Sequence, residues 1–314
     1  MELVTLELDS LSRVKENLVV TIGQFDGLHI AHVSLISKTI EIAKSKGLKS
    51  GLITFDPHPD FVLKKDLSNT YVTPFQEKLK LINELGLDYL IVIKFNLEIA
   101  SMEPSDFVNN ILLANNVKEV VVGFDFRFGK KGSGLARDIT SLSKNLIKTH
   151  IIEEIKYHNE KIGTTLVRNL LKLGKTNEVY QLLGRFYKFT GEVVRGNQVG
   201  RTIDLPTANF KVDKDFAKIL PGVYAVRVTV DEKQYLGIAN LGFNPSFNQS
   251  ESMSFETHIF DFSDDIYGKH IDVELVEYLR GEVKFDTKEA FLDQISKDKE
   301  SAKNISEKFK LKFN

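Results

Sequence analysis

The chain has 314 residues, 42% of them apolar, a formal net charge of −1 and no cysteine. That length points to two domains, and the charge gives no electrostatic case for a nucleic-acid or anionic-membrane partner. Without cysteine there are no disulfides, thiolate metal sites or cysteine nucleophiles. No basic segment followed by a long apolar run marks the N-terminus, and no apolar stretch approaches the ~20 residues of a membrane helix. A soluble cytoplasmic protein is expected; the oligomeric state is left open.

In the first half, short apolar runs of strand length occur at 18–22, 51–55, 89–93, 119–123 and 151–155. Apolar residues at helical spacing occupy 33–43, 76–85 and 107–113, and more weakly 141–147. Strands separated by helices predict a parallel sheet, whose ligands bind beyond the carboxyl ends of the strands. Three segments fall there: the turn 23–32, the turn 54–59 and the loop 123–134.

The first reads Gly23-Gln-Phe25-Asp26-Gly27-Leu-His29-Ile-Ala31-His32. Two histidines three apart share one face at the start of a helix, where unpaired N–H groups and the positive helix end favour anions. The alternatives are ordinary surface histidines or a metal pair, though no third ligand has helpful spacing. The second, Thr54-Phe-Asp-Pro-His58-Pro59, holds His58 on a rigid turn or is simply a stiff loop. The third, Gly123-Phe-Asp125-Phe126-Arg-Phe128-Gly129, offers aromatic faces, a carboxylate and a guanidinium to a heterocycle and a phosphate. A hydrophobic loop under the sheet is the competing reading.

Ile162-Gly163-Thr164-Thr165-Leu-Val-Arg168 opens the next helical stretch. Its hydroxyls can cap that helix, and Arg168 one turn in can meet a phosphate oxygen. Gly174-Lys175-Thr176 has only the end of a P-loop: the required first glycine falls on Asn169, so a turn between helices 165–173 and 177–183 is expected.

Beyond residue 185 the pattern becomes all-β, with strand-like runs at 191–194, 223–230, 235–239, 254–262 and 270–278. A small antiparallel barrel fits them. Thr287 is a cap for a closing helix. The boundary is placed at 184/185. Glycines such as Gly196 and Gly200, with Arg201, suit backbone approach to phosphate, or mark barrel bends. Thr207 and Asn209 alternate onto one side of an extended segment and offer oxygens to Mg²⁺.

These stretches, in this order, resemble the bacterial bifunctional riboflavin kinase/FMN adenylyltransferase (FAD synthetase) family over about residues 15–305. The turn 23–32 is similar to its His-x-Gly-His signature, with Ala31 where the family has glycine. The turn 54–59 is similar to its Thr-Phe-x-Pro-His-Pro motif, and the loop 123–129 to its Val-Gly-x-(Asp/Asn)-Phe-x-Phe-Gly motif. Residues 163–168 match Ser-Ser-Thr-x-Ile-Arg, with Gly163 and Thr164 in place of the serines. Residues 196–209 resemble the riboflavin kinase core, with Asp204 replacing a glycine, and Glu256 and Arg280 fall in further motifs of that half.

The resemblance implies an α/β protein: a Rossmann-like nucleotidyltransferase domain at 1–184 and a barrel riboflavin kinase domain with a closing helix at 185–314. It implies ATP-dependent phosphorylation of riboflavin to FMN, then adenylylation of FMN to FAD with release of pyrophosphate. Glu256 would be the kinase base, with Thr207 and Asn209 holding Mg²⁺. His29, His32 and Arg168 would act on ATP in adenylyl transfer. Gly23, Phe25, Asp26, Gly27, His58, Asp125, Phe126, Phe128 and Thr165 would bind nucleotide or flavin in the first half; Gly196, Gly200, Arg201, Thr207, Asn209 and Arg280 would do so in the second. Two alternatives stand beside this: a riboflavin kinase with a degenerate adenylyltransferase, prompted by Ala31 and Gly163, and a non-catalytic flavin-binding regulator, prompted by Asp204.

Overall fold

Strand β2 (Leu18–Ile22) is buried along its whole length, which a strand of five β-branched or leucine residues achieves only in the middle of a sheet covered on both faces. The computed structural model describes residues 1–7, 13–64, 71–195, 207–212, 216–244, 252–311 and 313. It divides into two compact units, Met1–Leu166 and Val167–Asn314.

The first unit is built on six parallel strands: β1 (Glu2–Leu6), β2, β3 (Lys49–Asp56), β4 (Tyr89–Lys94), β5 (Val117–Gly123) and β6 (Lys148–Ile152). Their order is β1-β4-β3-β2-β5-β6. The chain builds outward from β2 through β3 and β4, then returns to add β5 and β6 on the other side. That reversal makes a topological switch point between β2 and β5, where two loops diverge and leave a crevice.

Alternate residues of β2 serve opposite faces. Leu18, Val20 and Ile22 pack with Ile53, Ile91 and Val120, whereas Val19 packs with Ile42 and Ala43 of helix α1 (Ile30–Lys46). A second cluster joins Phe25, Leu28 and Ile36 to Leu52 and to Ile82 of α2 (Phe75–Glu84). α1 ends at Gly47, whose φ of +64° lets its N–H return to Ala43 and Lys44 carbonyls.

Three local features differ from expectation. Glu2–Leu6 forms an edge strand where none was expected, and the last sheet strand lies at Lys148–Ile152 rather than 151–155. The expected helix 107–113 is broken into an α-turn (Pro104–Phe107), a π-turn (Val108–Leu112) and a 3₁₀ turn (Leu113–Asn115). Asn115 explains part of this: fully buried, its amide donates to the Ile111 carbonyl at 2.8 Å and accepts from Val14 N–H at 3.2 Å.

The second unit contains α4 (Thr176–Leu183), a closed antiparallel barrel and a long helix, α5 (Lys288–Lys308); α3 (Thr164–Lys172) spans the division between units. The barrel strands are β7 (Tyr187–Val194), β8 (Ala208–Val212), β9 (Gly222–Val230), β10 (Lys233–Asn244), β11 (Ser252–Ile259) and β12 (His270–Arg280). They close in the order β7-β8-β11-β10-β9-β12. Phe189, Phe210 and Phe255 fill the interior, with ring centroids 4.6 Å apart in the pairs Phe189–Phe255 and Phe210–Phe255. The other face of β9 and β12 is also apolar, because Val223, Ala225 and Val276 pack against Ala302 and Ile295 of α5. Thr287 caps α5 as expected, accepting the Ala290 N–H at 3.1 Å. Strand β8 falls in the segment read as extended around Thr207 and Asn209, which the strand-like runs did not include.

Candidate functional sites

At the switch point of the sheet a cavity of about 320 Å³ opens. Its wall combines Gly23, Phe25, His29, Ala31 and His32 after β2 with Gly123, Phe124, Asp125 and Phe126 after β5, and Lys161 to Thr164 complete it. The turn after β2 is sharply wound: Phe25, Gly27 and Leu28 have φ of +52°, +83° and +43°. Phe25 tolerates this because it is anchored, 1% exposed, with its ring 4.9 Å from that of His32.

His29 is the N-cap of α1, its Nδ1 accepting from His32 N–H at 3.3 Å. The two rings stack with centroids 3.6 Å apart. Two stacked imidazolium rings would repel, and burial adds to that cost. Burial first, then His29, Lys78 and Lys161, hold the His32 pKa well below 6.5, so this ring is neutral. Its Nδ1 is buried without a hydrogen-bond partner.

Across the cavity Asp125 pairs with Lys161, whose ammonium also lies 5.1 Å from the centre of the Phe124 ring. Thr164 donates to the Asp26 carbonyl at 3.0 Å, joining the start of α3 to the turn after β2.

Of the sequence-derived residues, Gly23, Phe25, His29, His32, Asp125 and Phe126 therefore meet in one place. Others do not line the cavity. Asp26 is buried, and its carboxylate accepts the N–H groups of Val72 at 3.2 Å and Thr73 at 3.0 Å. It anchors the turn from behind, next to Gly27. His58 accepts from Asp60 N–H at 3.0 Å and so caps the short helix Pro59–Lys64. Phe128 packs into the core against Phe107. Thr165 is exposed on α3, and Arg168 is half-buried one turn later in the second unit. Sequence reasoning missed Lys161, which a short hairpin strand (Glu160–Lys161) presents, because an isolated lysine in a polar loop carries no signal.

In the second unit a cavity of about 460 Å³ is lined by Thr207, Asn240, Glu256, His258, Arg280 and Glu282, with Phe285, Phe291 and Ile295 on its apolar side. It lies on the outside of the barrel. The register makes this plain: Asn209 and Asn240 both stand opposite Glu256, while the neighbouring pair Phe210 and Phe255 points inward. Arg280 is locked in place by Asp298 of α5, with Nε at 3.1 Å from both carboxylate oxygens and Nη2 at 2.7 Å from one. Gln294 donates to the same carboxylate at 2.9 Å. Asp298 is 3% exposed and was not singled out by the sequence.

A further cavity of about 270 Å³ is lined by Thr207, Ala208, Thr257, Asp264, Asp265 and Tyr267. Thr207 thus borders both spaces. Gly196, Gly200, Arg201 and Asp204 lie outside the described residues.

A parallel sheet with a histidine-lined crevice at its switch point, joined in one chain to a closed barrel with its own polar cavities, makes a two-module α/β and barrel protein. Residues 11–166 match the family model for FAD synthetase, and residues 183–306 that for riboflavin kinase. A relative from Listeria monocytogenes serovar 1/2a, named bifunctional riboflavin kinase/FMN adenylyltransferase, is 35% identical over 288 residues, 91% of this chain and 92% of that one. A relative of the same name from Bacillus subtilis (strain 168) is 35% identical over 287 residues, 90% of this chain and 91% of that one. A solved structure from Streptococcus pneumoniae, bearing the name macrolide-efflux protein, superposes with a TM-score of 0.90 at 28% identity, covering 96% of this chain and 99% of that one. In the present chain no helix among the described residues is long and apolar enough to cross a membrane. The chain belongs to the bifunctional riboflavin kinase/FMN adenylyltransferase family.

Proposed function

We propose that this chain makes FMN from riboflavin and ATP on its barrel, and FAD from FMN and a second ATP at the switch point of its sheet. The observation that carries this reading is that each matched half has its own cavity, and each cavity gathers side chains suited to its reaction.

In the kinase reaction a riboflavin hydroxyl oxygen attacks the γ-phosphorus of ATP and ADP leaves. Glu256, exposed on the outer face of β11, is the group that accepts the hydroxyl proton. Thr207 and Asn209 supply neutral oxygens beside it. No group of three histidine or acidic side chains among the described residues could cage a metal. A pair of oxygen donors fits Mg²⁺ that keeps its waters and arrives with nucleotide phosphates. Bound there, Mg²⁺ supplies charge neutralisation at those phosphates. Arg280, held rigid by Asp298, adds a fixed positive charge at the same cavity.

In adenylyl transfer an oxygen of the FMN phosphate attacks the α-phosphorus of ATP, and pyrophosphate leaves. No covalent enzyme intermediate is needed. His29 and His32 meet the phosphates at the N-terminus of α1, where the helix end itself attracts anions. Neutral His32 contributes as an N–H donor, through Nε2. Arg168 is assigned to the same polyphosphate. Asp125 and Phe126 face the cavity as polar and stacking groups for the nucleotide or flavin. We place the protein in the cytoplasm, and the start of the kinase module at residue 185.

Incubation with riboflavin, ATP and Mg²⁺ tests the reading. FAD accumulation supports it. FMN as the end product replaces it with a kinase bearing an inactive adenylyltransferase, and bound, unmodified riboflavin replaces it with a flavin-binding regulator.

A further inference from the structure

Helix α2 carries a buried cation that the two reactions, as assigned above, leave unused. Lys78 is 1% exposed. Its Nζ donates to the Gln24 carbonyl at 3.0 Å and to Thr54 Oγ1 at 3.3 Å, and lies 5.3 Å from the centre of the Phe75 ring. Thr54 Oγ1 in turn donates to the Gln24 carbonyl at 3.2 Å. Gln24 belongs to the turn after β2, and Thr54 to the last residues of β3. The ammonium therefore ties these two strand ends together directly behind Gly23, Phe25 and His32, which form the cavity wall.

An apolar side chain could fill the same space without the cost of desolvating an ammonium. What only the ammonium adds is one donor to the turn, a second to β3, and a positive potential behind the site. The titratable groups facing it are the carboxylates of Asp26 from the turn and Asp56 from β3, and the neutral His32 ring from α1. Burial pushes Lys78 down to about 8, with Asp26 and Asp56 opposing that shift, so it is largely protonated at neutral pH.

We propose that Lys78 is a positioning residue for adenylyl transfer: its ammonium fixes the Gln24 carbonyl, hence the turn that presents His29 and His32, and sets a positive charge behind the bound polyphosphate. The inference rests on the adenylyltransferase reading of the switch-point cavity.

Lys78→Met should lower kcat/KM for ATP in FAD formation from supplied FMN by about 10- to 100-fold, mainly through KM, with riboflavin phosphorylation unchanged. Lys78→Gln, which keeps a donor but no charge, should recover part of the loss. In the unaltered protein, KM for ATP in FAD formation should rise as the pH passes about 8, while the kinase KM does not. A folded Lys78→Met protein within twofold of the unaltered rate overturns the proposal. So does a flat pH profile, which needs no variant to fold. If the unaltered protein forms no FAD, the reading of the cavity itself fails. Lys78 is then judged on the His32 ring resonances of the unaltered protein, which should follow a proton released near pH 8; their failure to do so removes Lys78 from behind the histidine pair.

Discussion

Asn209 and Glu256 stand directly opposite each other on β8 and β11, on the outer face of the barrel, while their neighbours Phe210 and Phe255 stack inside it. One residue of register thus separates the outward-facing polar pair from the aromatic core. A shift by one would bury Glu256 and expose the phenylalanines, so the aromatic stack fixes the placement of the proposed base.

This placement makes Glu256 a clean target. Because it is exposed, Glu256→Gln should leave the melting temperature unchanged within measurement error. Riboflavin phosphorylation should fall by about 10²-fold or more, in line with general-base contributions. FAD formation from supplied FMN should be unaffected. Steady-state rates for each half-reaction check this, and near-normal kinase turnover would remove Glu256 from the mechanism.

His32 should couple nucleotide binding to protons. Its pKa is held well below 6.5 in the free protein by burial and by neighbouring positive groups. The unfolded chain binds a proton below about pH 6.5 that the native ring refuses, so stability falls as the pH drops through that region. A polyphosphate beside the ring reverses the balance and raises the pKa. ATP binding below pH 6.5 should therefore take up protons, measurable by calorimetry in buffers of different ionisation enthalpy. His32→Gln should abolish that part of the uptake, and cut FAD formation by about 10²-fold with the kinase intact.

Much of this architecture is legible in the sequence, and the misses have physical causes. Buried strands such as Leu18–Ile22 show themselves as apolar runs because both faces are covered. Edge positions do not: Glu2–Leu6 is mostly exposed, with Leu3 52% accessible, and Lys148–Ile152 opens with Lys-Thr-His. The histidine pair is visible because glycines and a strand frame it. Lys78 and Asp298 are invisible, since a charged residue on an amphipathic helix reads as its solvated face, and only tertiary contacts reveal that each is buried.

Two of the departures from the family pattern, Ala31 and Gly163, should weaken the adenylyltransferase without abolishing it. Ala31 sits on the cavity wall, where its methyl occupies space a nucleotide would approach. Overpacking of that kind costs roughly 1–3 kcal/mol. Gly163 also lines the cavity, and a Cβ added there meets nothing within 4 Å, so a serine fits without strain. Ala31→Gly with Gly163→Ser should raise kcat/KM for ATP in FAD formation and leave the kinase alone. No gain would show that the methyl is harmless; no detectable FAD before or after the change would favour the degenerate-domain reading.

The kinase should be separable from the rest of the chain, and the starting residue should set its stability. A fragment of 185–314 contains the whole barrel and α5, and should phosphorylate riboflavin. It lacks α4, however, whose Tyr180 packs with ring centroids 4.6 Å from Phe186 and 5.9 Å from Phe309. It also lacks Leu171, whose carbonyl accepts the Leu220 N–H at 3.1 Å. Removing Tyr180 uncovers parts of two phenylalanines, and burying such side chains is worth about 1.5–3 kcal/mol each. A fragment of 167–314 restores these contacts and matches the second compact unit. Its melting temperature should exceed that of 185–314 by several degrees, with the same kinase kcat for both. Equal melting temperatures would mean that α4 adds nothing to the barrel. A folded, inactive 185–314 alongside an active 167–314 would move the start of the kinase module back to the helices.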